Sequence, residues 1–154
     1  MATRARVIAL SGAMAALYVV LTWGLAPISY GPLQFRVSEL LKPLALFHPA
    51  FAVAFLFGNG IANLGSPFGW YDFVCMAFVD CAAALLCWWL RRWVVLALAV
   101  QAVVIAAGVA LFPLGMGAML PFWPTFAAVL VPELVLIFVG YYAIWRRYGT
   151  DLLR

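Results

Sequence analysis

Four stretches of this chain, residues 7–26, 71–90, 93–112 and about 122–145, are predominantly apolar and long enough to cross a bilayer. The hydrocarbon layer needs about 20 such residues. Runs of this length leave no surface for water. With 69% hydrophobic and 9% charged residues, the chain falls far below the roughly one-quarter charged content of soluble domains. A soluble enzyme, a nucleic-acid-binding module and a disulfide-stapled secreted domain are all excluded. The excess of Lys and Arg, 9 against 5 acids, is therefore an orientation signal and not a footprint for nucleic acid. Residues 7–26 follow Arg4 and Arg6 but are too long for a signal-peptide core, so they are read as a retained first span.

Segment 37–64 contains Pro43 and the His48-Pro49 step. The residue before a proline favours a break, so this segment is expected as two shorter helices. That gives an all-α bundle of six transmembrane helices forming one integral-membrane domain over 1–154, with both termini cytoplasmic. Counting Arg36 and Lys42 as loop charges, six spans put seven of the nine Lys and Arg inside. Five spans with an outer N-terminus give the same count, so charge alone does not choose. The polar residues do. Six spans gather Gln34, Arg36, Glu39, Asn63, Asp72 and Glu133 in one half of the membrane, and polar groups in hydrocarbon need partners.

Four acids are candidates for membrane depth: Glu39, Asp72, Asp80 and Glu133. Glu133 lies roughly 12 Å into the last span, either paired with Arg36 or facing a ligand. Asp72 starts a helix, where it caps or complements the dipole, and Asp80 needs a partner the sequence does not name. Asn59 and Asn63 share a helix face; Asn59 is suited to interhelical hydrogen bonds and Asn63 to reaching a ligand. Trp70, Tyr71, Phe122 and Trp123 crowd two helix ends, as interfacial aromatics do. His48 has no metal-ligand neighbour in sequence. Cys75, Cys81 and Cys87 are read as inert thiols. No nucleophile–base pair, phosphate-cradling glycine loop or HExxH motif occurs, so the chain is not read as an enzyme and no cofactor or metal is expected. Ala5, Ala9 and Ala13 repeat at the four-residue period that lets another helix approach closely.

The run Tyr30-Gly31-Pro32-Leu33-Gln34-Phe35-Arg36-Val37-Ser38-Glu39 and the run Asn63-Leu64-Gly65-Ser66-Pro67-Phe68-Gly69-Trp70-Tyr71-Asp72 resemble the QueT family. These are substrate-binding S components of energy-coupling factor (ECF) transporters linked to queuosine precursors. The resemblance covers essentially the whole chain, including the alanine-patterned first helix and the acid at Glu133. It implies a multi-pass protein of a prokaryotic cell membrane that captures a 7-deazaguanine at the outer face. Candidate ligands are the 7-aminomethyl and 7-cyano compounds and queuine.

The resemblance further implies a transmembrane coupling protein and two cytoplasmic ATPase subunits as partners, docked through Ala5, Ala9 and Ala13. The substrate would be held by Gln34, Arg36, Glu39, Asn63, Trp70, Tyr71, Asp72, Trp123 and Glu133. Met76 and Asp80 depart from the family pattern, where small or hydroxyl residues are usual. The competing readings are an S component for another vitamin or heterocycle, and a membrane scaffold subunit without transport.

Overall fold

The computed structural model of the protein describes residues 4–30, 34–66, 69–115 and 121–153, and all regular structure among them is helical. Gly31, Pro32, Leu33, Pro67 and Phe68 of the two motifs, together with Gly117 and Arg154, lie outside the described residues. Helix α1 (Arg4–Gly24) is followed by the single turn α2 (Ala26–Ser29) and then by a 3-10 helix, Val37–Leu46, hereafter the central helix. Next come α3 (Ala50–Asn63), α4 (Trp70–Trp89), α5 (Val94–Gly115) and α6 (Phe122–Val139). Helix α6 runs through a π-helical stretch, Gly140–Trp145, into α7 (Arg146–Tyr148).

The break expected at His48-Pro49 is present. Residues 47–49 separate the two short helices, and His48 Nδ1 accepts a hydrogen bond from Ala50 N at 3.1 Å. The imidazole thereby satisfies an amide that a helix start leaves open. Among the described residues four helices are long and apolar enough to cross a membrane: Arg4–Gly24, Trp70–Trp89, Val94–Leu111 and Phe122–Tyr148. The other two expected spans are shorter. Helix α3 has 14 residues, about 21 Å, and the central helix has 10, about 20 Å at the 3-10 rise.

The central helix is the core element. It touches α1, α3, α4, α5 and α6, and Ser38, Glu39 and the run Leu41 to Leu46 are all buried. Pro43 has no N–H to give, so in a 3-10 pattern the carbonyl of Leu40 loses its partner three residues on. Trp145 Nε1 donates to that carbonyl instead, which ties the last helix to the central one. Gly140 makes the approach possible: a Cβ there would lie 2.5 Å from Leu40 O and 2.9 Å from Leu40 Cα.

Two sets of contacts define the ends of the bundle. At one end Ser11 Oγ donates to Ala50 O at 3.5 Å, and Gly149 packs on the Phe47 ring. At the other end Trp23 Nε1 donates to Ala62 O at 3.0 Å, and the Tyr30 hydroxyl donates to the same carbonyl.

Gly140→Ala pushes a methyl into immovable backbone and is expected to destabilise the folded protein by about 1–3 kcal/mol, read as a lowered melting temperature in detergent. Gly12→Ala, where nothing lies within 4 Å of the added carbon, is the control and should not lower it.

Candidate functional site

The polar side chains buried among these apolar helices converge on one face of the central helix. In a 3-10 helix, residues three apart eclipse one another, so Glu39 and Lys42 project together and Arg36 precedes them at the same interval. Lys42 Nζ lies 2.7 Å from Glu39 Oε2 and 2.7 Å from Asp80 Oδ1. Its side chain is 1% exposed. Gln101 of α5 donates to the Lys42 carbonyl at 3.4 Å. Lys42 is thus a core ammonium, not the loop charge expected from sequence, and Asp80 finds in it the partner the sequence left unnamed.

Glu39 is also held from α1. Its Oε1 accepts the Tyr18 hydroxyl, which lies 3.2 Å from Asn59 Oδ1 as well. Asn59 is the hub of the next layer. Its Oδ1 accepts from Arg36 Nη1 and from Asn63 Nδ2, both at 3.2 Å. Its Nδ2 donates to Met76 O at 3.3 Å, which fulfils the interhelical role expected of it. Arg36 Nε donates to Ser29 O at 3.3 Å, and the guanidinium sits 5.4 Å from the Tyr30 ring centre. Burial pushes the Tyr30 phenol above its ordinary pKa, so it remains a neutral donor. Asp72 accepts a hydrogen bond from Ser66 and lies within electrostatic reach of Arg36.

Glu133 enters from α6. It stands eleven positions past Phe122, about 16 Å along the helix and deeper than expected. It is 6% exposed and lies within electrostatic reach of Glu39, Lys42, Asp80 and Arg36. The ion pairs of the cluster among the described residues are those of Lys42; Glu133 lies within electrostatic reach of Arg36 without an ion pair to it. Among the described residues several buried oxygens have no hydrogen-bond donor: Glu133 Oε2, Asn63 Oδ1, Asp80 Oδ2, Gln101 Oε1 and Ser29 Oγ. Such groups are rare in a folded interior because each forfeits its hydration.

Of the residues proposed from sequence, Arg36, Glu39, Asn63, Asp72 and Glu133 are buried and come together. Gln34 is half-buried at a backbone φ of 43°, a left-handed conformation uncommon for a residue with a side chain. The tryptophans sit elsewhere. Trp70 is 67% exposed and Trp123 73% exposed; the first stacks on Phe73 at 4.8 Å and the second packs edge-on against Phe122. Tyr71 is 61% exposed. The aromatic surfaces beside the cluster are instead Tyr18 and Tyr30.

Ala5, Ala9 and Ala13 are exposed along the outer face of α1. Sequence reasoning missed Tyr18, Lys42 and Gln101, although each is a solitary polar group in an apolar run. An ionisable residue in such a run is itself a signal of an interior role.

Removing one member of a buried ion pair strands the other charge, at a cost of about 3–5 kcal/mol. Lys42→Met is expected to lower stability by that amount in detergent unfolding. Adding Asp80→Asn to Lys42→Met should restore part of it; a double variant no more stable than the single one would remove Asp80 from the pairing.

Comparison with known proteins agrees with the resemblance carried by the two motifs. The family described as QueT transporter matches residues 8–146. A relative in Lactococcus lactis subsp. cremoris (strain MG1363), the queuosine precursor transporter QueT, is 49% identical over 63 residues. That stretch is 40% of this chain and 37% of the relative, so the chain covers little more than a third of that protein's length. No solved structure gives a significant match.

Proposed function

The chain belongs to the QueT transporter family, a family of transporters and not of enzymes, and on that premise we propose that it is the substrate-binding membrane subunit of an ECF-type importer for a queuosine precursor. The observation that carries this reading is the set of buried acceptors without donors, Glu133 Oε2 and Asn63 Oδ1 foremost. A 7-deazaguanine presents a ring N–H and an exocyclic NH2 side by side, which one carboxylate accepts in a bidentate pair. Glu133 or Glu39 takes that edge. Arg36, Asn63 Nδ2 or Gln34 donates to the O6 acceptor, and Asp72 lies toward the 7-substituent. Trp70, Tyr71 and Trp123 form the rim through which the ligand passes.

Six passes with both termini in the cytoplasm are the topology that fits best. With Arg36 and Lys42 buried, they no longer count as loop charges. Arg4, Arg6, Arg91, Arg92, Arg146 and Arg147 are all exposed. Six passes put all of them on one side, whereas an odd number sends Arg4 and Arg6 to the opposite face, against the positive-inside rule. The contacts Ser11–Ala50 and Gly149–Phe47 support the even count. The exposed strip Ala5, Ala9 and Ala13 flanks an apolar groove of about 390 Å3 between α1 and α3, lined in part by Gly12, Ala50 and Phe57. This face suits a helix of the coupling protein, which in turn engages the two ATPase subunits.

Calorimetric titration of the purified chain with queuine and the 7-cyano and 7-aminomethyl compounds tests the substrate. One-to-one binding of a deazaguanine is expected, and Glu133→Gln should weaken it by about 1.5–3 kcal/mol while the protein stays folded. No binding of any of the three would transfer the reading to another heterocycle. For the partner face, Ala9→Trp or Ala13→Trp should abolish co-purification with the coupling module and spare ligand binding by the isolated chain.

A further inference from the structure

The buried cluster carries more negative than positive charge. Its cations are Arg36 and Lys42, and its acids are Glu39, Asp72, Asp80 and Glu133, all between 1% and 8% exposed. Lys42 is spent on Glu39 and Asp80, each at 2.7 Å. Arg36 donates to Asn59 and Ser29 and faces Asp72 across the outer layer. From α1 the titratable group is Tyr18, already bonded to Glu39. The polar groups contributed by α3 and α5 are the amides Asn59, Asn63 and Gln101, which bring no charge. Among the described residues Glu133 is left as the acid with neither an ion pair nor a donor at its buried Oε2; Asp80 Oδ2 also lacks a donor, but its Oδ1 holds Lys42.

An uncompensated carboxylate in a dry interior takes up a proton, because the neutral form avoids the cost of burying the charge. We propose that Glu133 holds a proton in the empty protein and that the site takes a cationic ligand by exchange: the Glu133 carboxyl releases its proton to solvent as the ligand's ammonium takes its place. No bond other than the O–H is broken, and the site's charge is the same before and after. This inference rests on the deazaguanine reading and deepens it: of the two acids offered for the guanine edge it leaves that edge to Glu39, and it puts Glu133 with Asp72 at the 7-substituent. Of the three candidate ligands, the 7-aminomethyl compound carries a primary ammonium and the 7-cyano compound is neutral. The exchange therefore separates ligands that share the guanine edge.

Buffer-dependent calorimetry tests this on the intact chain in detergent. Titrating the 7-aminomethyl compound in two buffers of different ionisation enthalpy should report about one proton released per ligand, and the 7-cyano compound about none. Affinity for the aminomethyl compound should rise about tenfold per pH unit while Glu133 is protonated in the empty state, since protons compete with the ligand. Infrared spectra of the ligand-free protein supply a second readout. A protonated-carboxyl band is expected in the wild type, absent in Glu133→Gln, lost on adding the aminomethyl compound and retained with the cyano compound. Binding of the aminomethyl compound with no proton released, or a ligand-free wild type without that band, overturns the exchange and leaves the deazaguanine reading intact. Failure of both compounds to bind overturns that reading and the exchange with it.

Discussion

The Lys42 ammonium, wedged between Glu39 and Asp80 at 2.7 Å from each, is the interaction on which the rest of the interior depends. Two carboxylates at this depth would be intolerable alone, and a lone ammonium equally so. Placed together they close on one another directly. The arrangement relies on the winding of the central helix. Three residues per turn stack Glu39 over Lys42, whereas α-helical winding would rotate them 60° apart. Pro43 and the Trp145 bond to Leu40 accompany that winding. A buried ion pair adds little net stability compared with an apolar pair of the same shape. Its consequence here is positional: it fixes which acids lie against the ammonium, Glu39 and Asp80, and leaves Glu133 without an ion pair.

From that pair the network climbs toward the other end of the bundle through Asn59. One amide joins Tyr18 of α1, Arg36 before the central helix, Asn63 on its own helix and the Met76 carbonyl of α4. Four segments of chain therefore share one small group, and displacing any of them disturbs the others. Helix α1 is the element that faces both ways. Its inner face carries Tyr18 and Thr22, fully buried, the latter 2.8 Å from Ser38 Oγ. Its outer face carries the exposed Ala5, Ala9 and Ala13. The side chains that would sense an occupied site and the strip suited to a partner are thus on opposite faces of a single rigid rod.

Much of this was legible before any coordinates. Apolar length located the four long helices, the His48-Pro49 step located the break between the short ones, and the cost of burying acids drew attention to Glu39, Asp72, Asp80 and Glu133. Lys42 was misread for a definite reason. It was counted with Arg36 as a loop cation, which made the charge rule tie between five and six spans. A 3-10 helix has no periodicity signature distinct from an α-helix over ten residues, so the alignment of Glu39 with Lys42 was invisible. The tryptophans are a different case. Trp70 and Trp123 are aromatic faces available to a flat ligand, and each is exposed at a helix end, where interfaces recruit amphipathic rings anyway.

Asp80 and Met76 are the positions read from the sequence as departures from the family pattern, and the structure gives each an internal reason. Met76 is buried in the apolar core and contributes to the network through its carbonyl, a group that any residue at that position supplies. Asp80 arrives with its own counter-charge in Lys42, so the extra acid and its cation enter as a neutral unit. Removing both leaves the balance among Arg36, Glu39, Asp72 and Glu133 where it stood. The departures thus alter the floor of the cluster without adding charge for a ligand to neutralise. On the proposed reading, a ligand would meet the lone pairs of Asn63 and Glu133 and the N–H groups of Arg36.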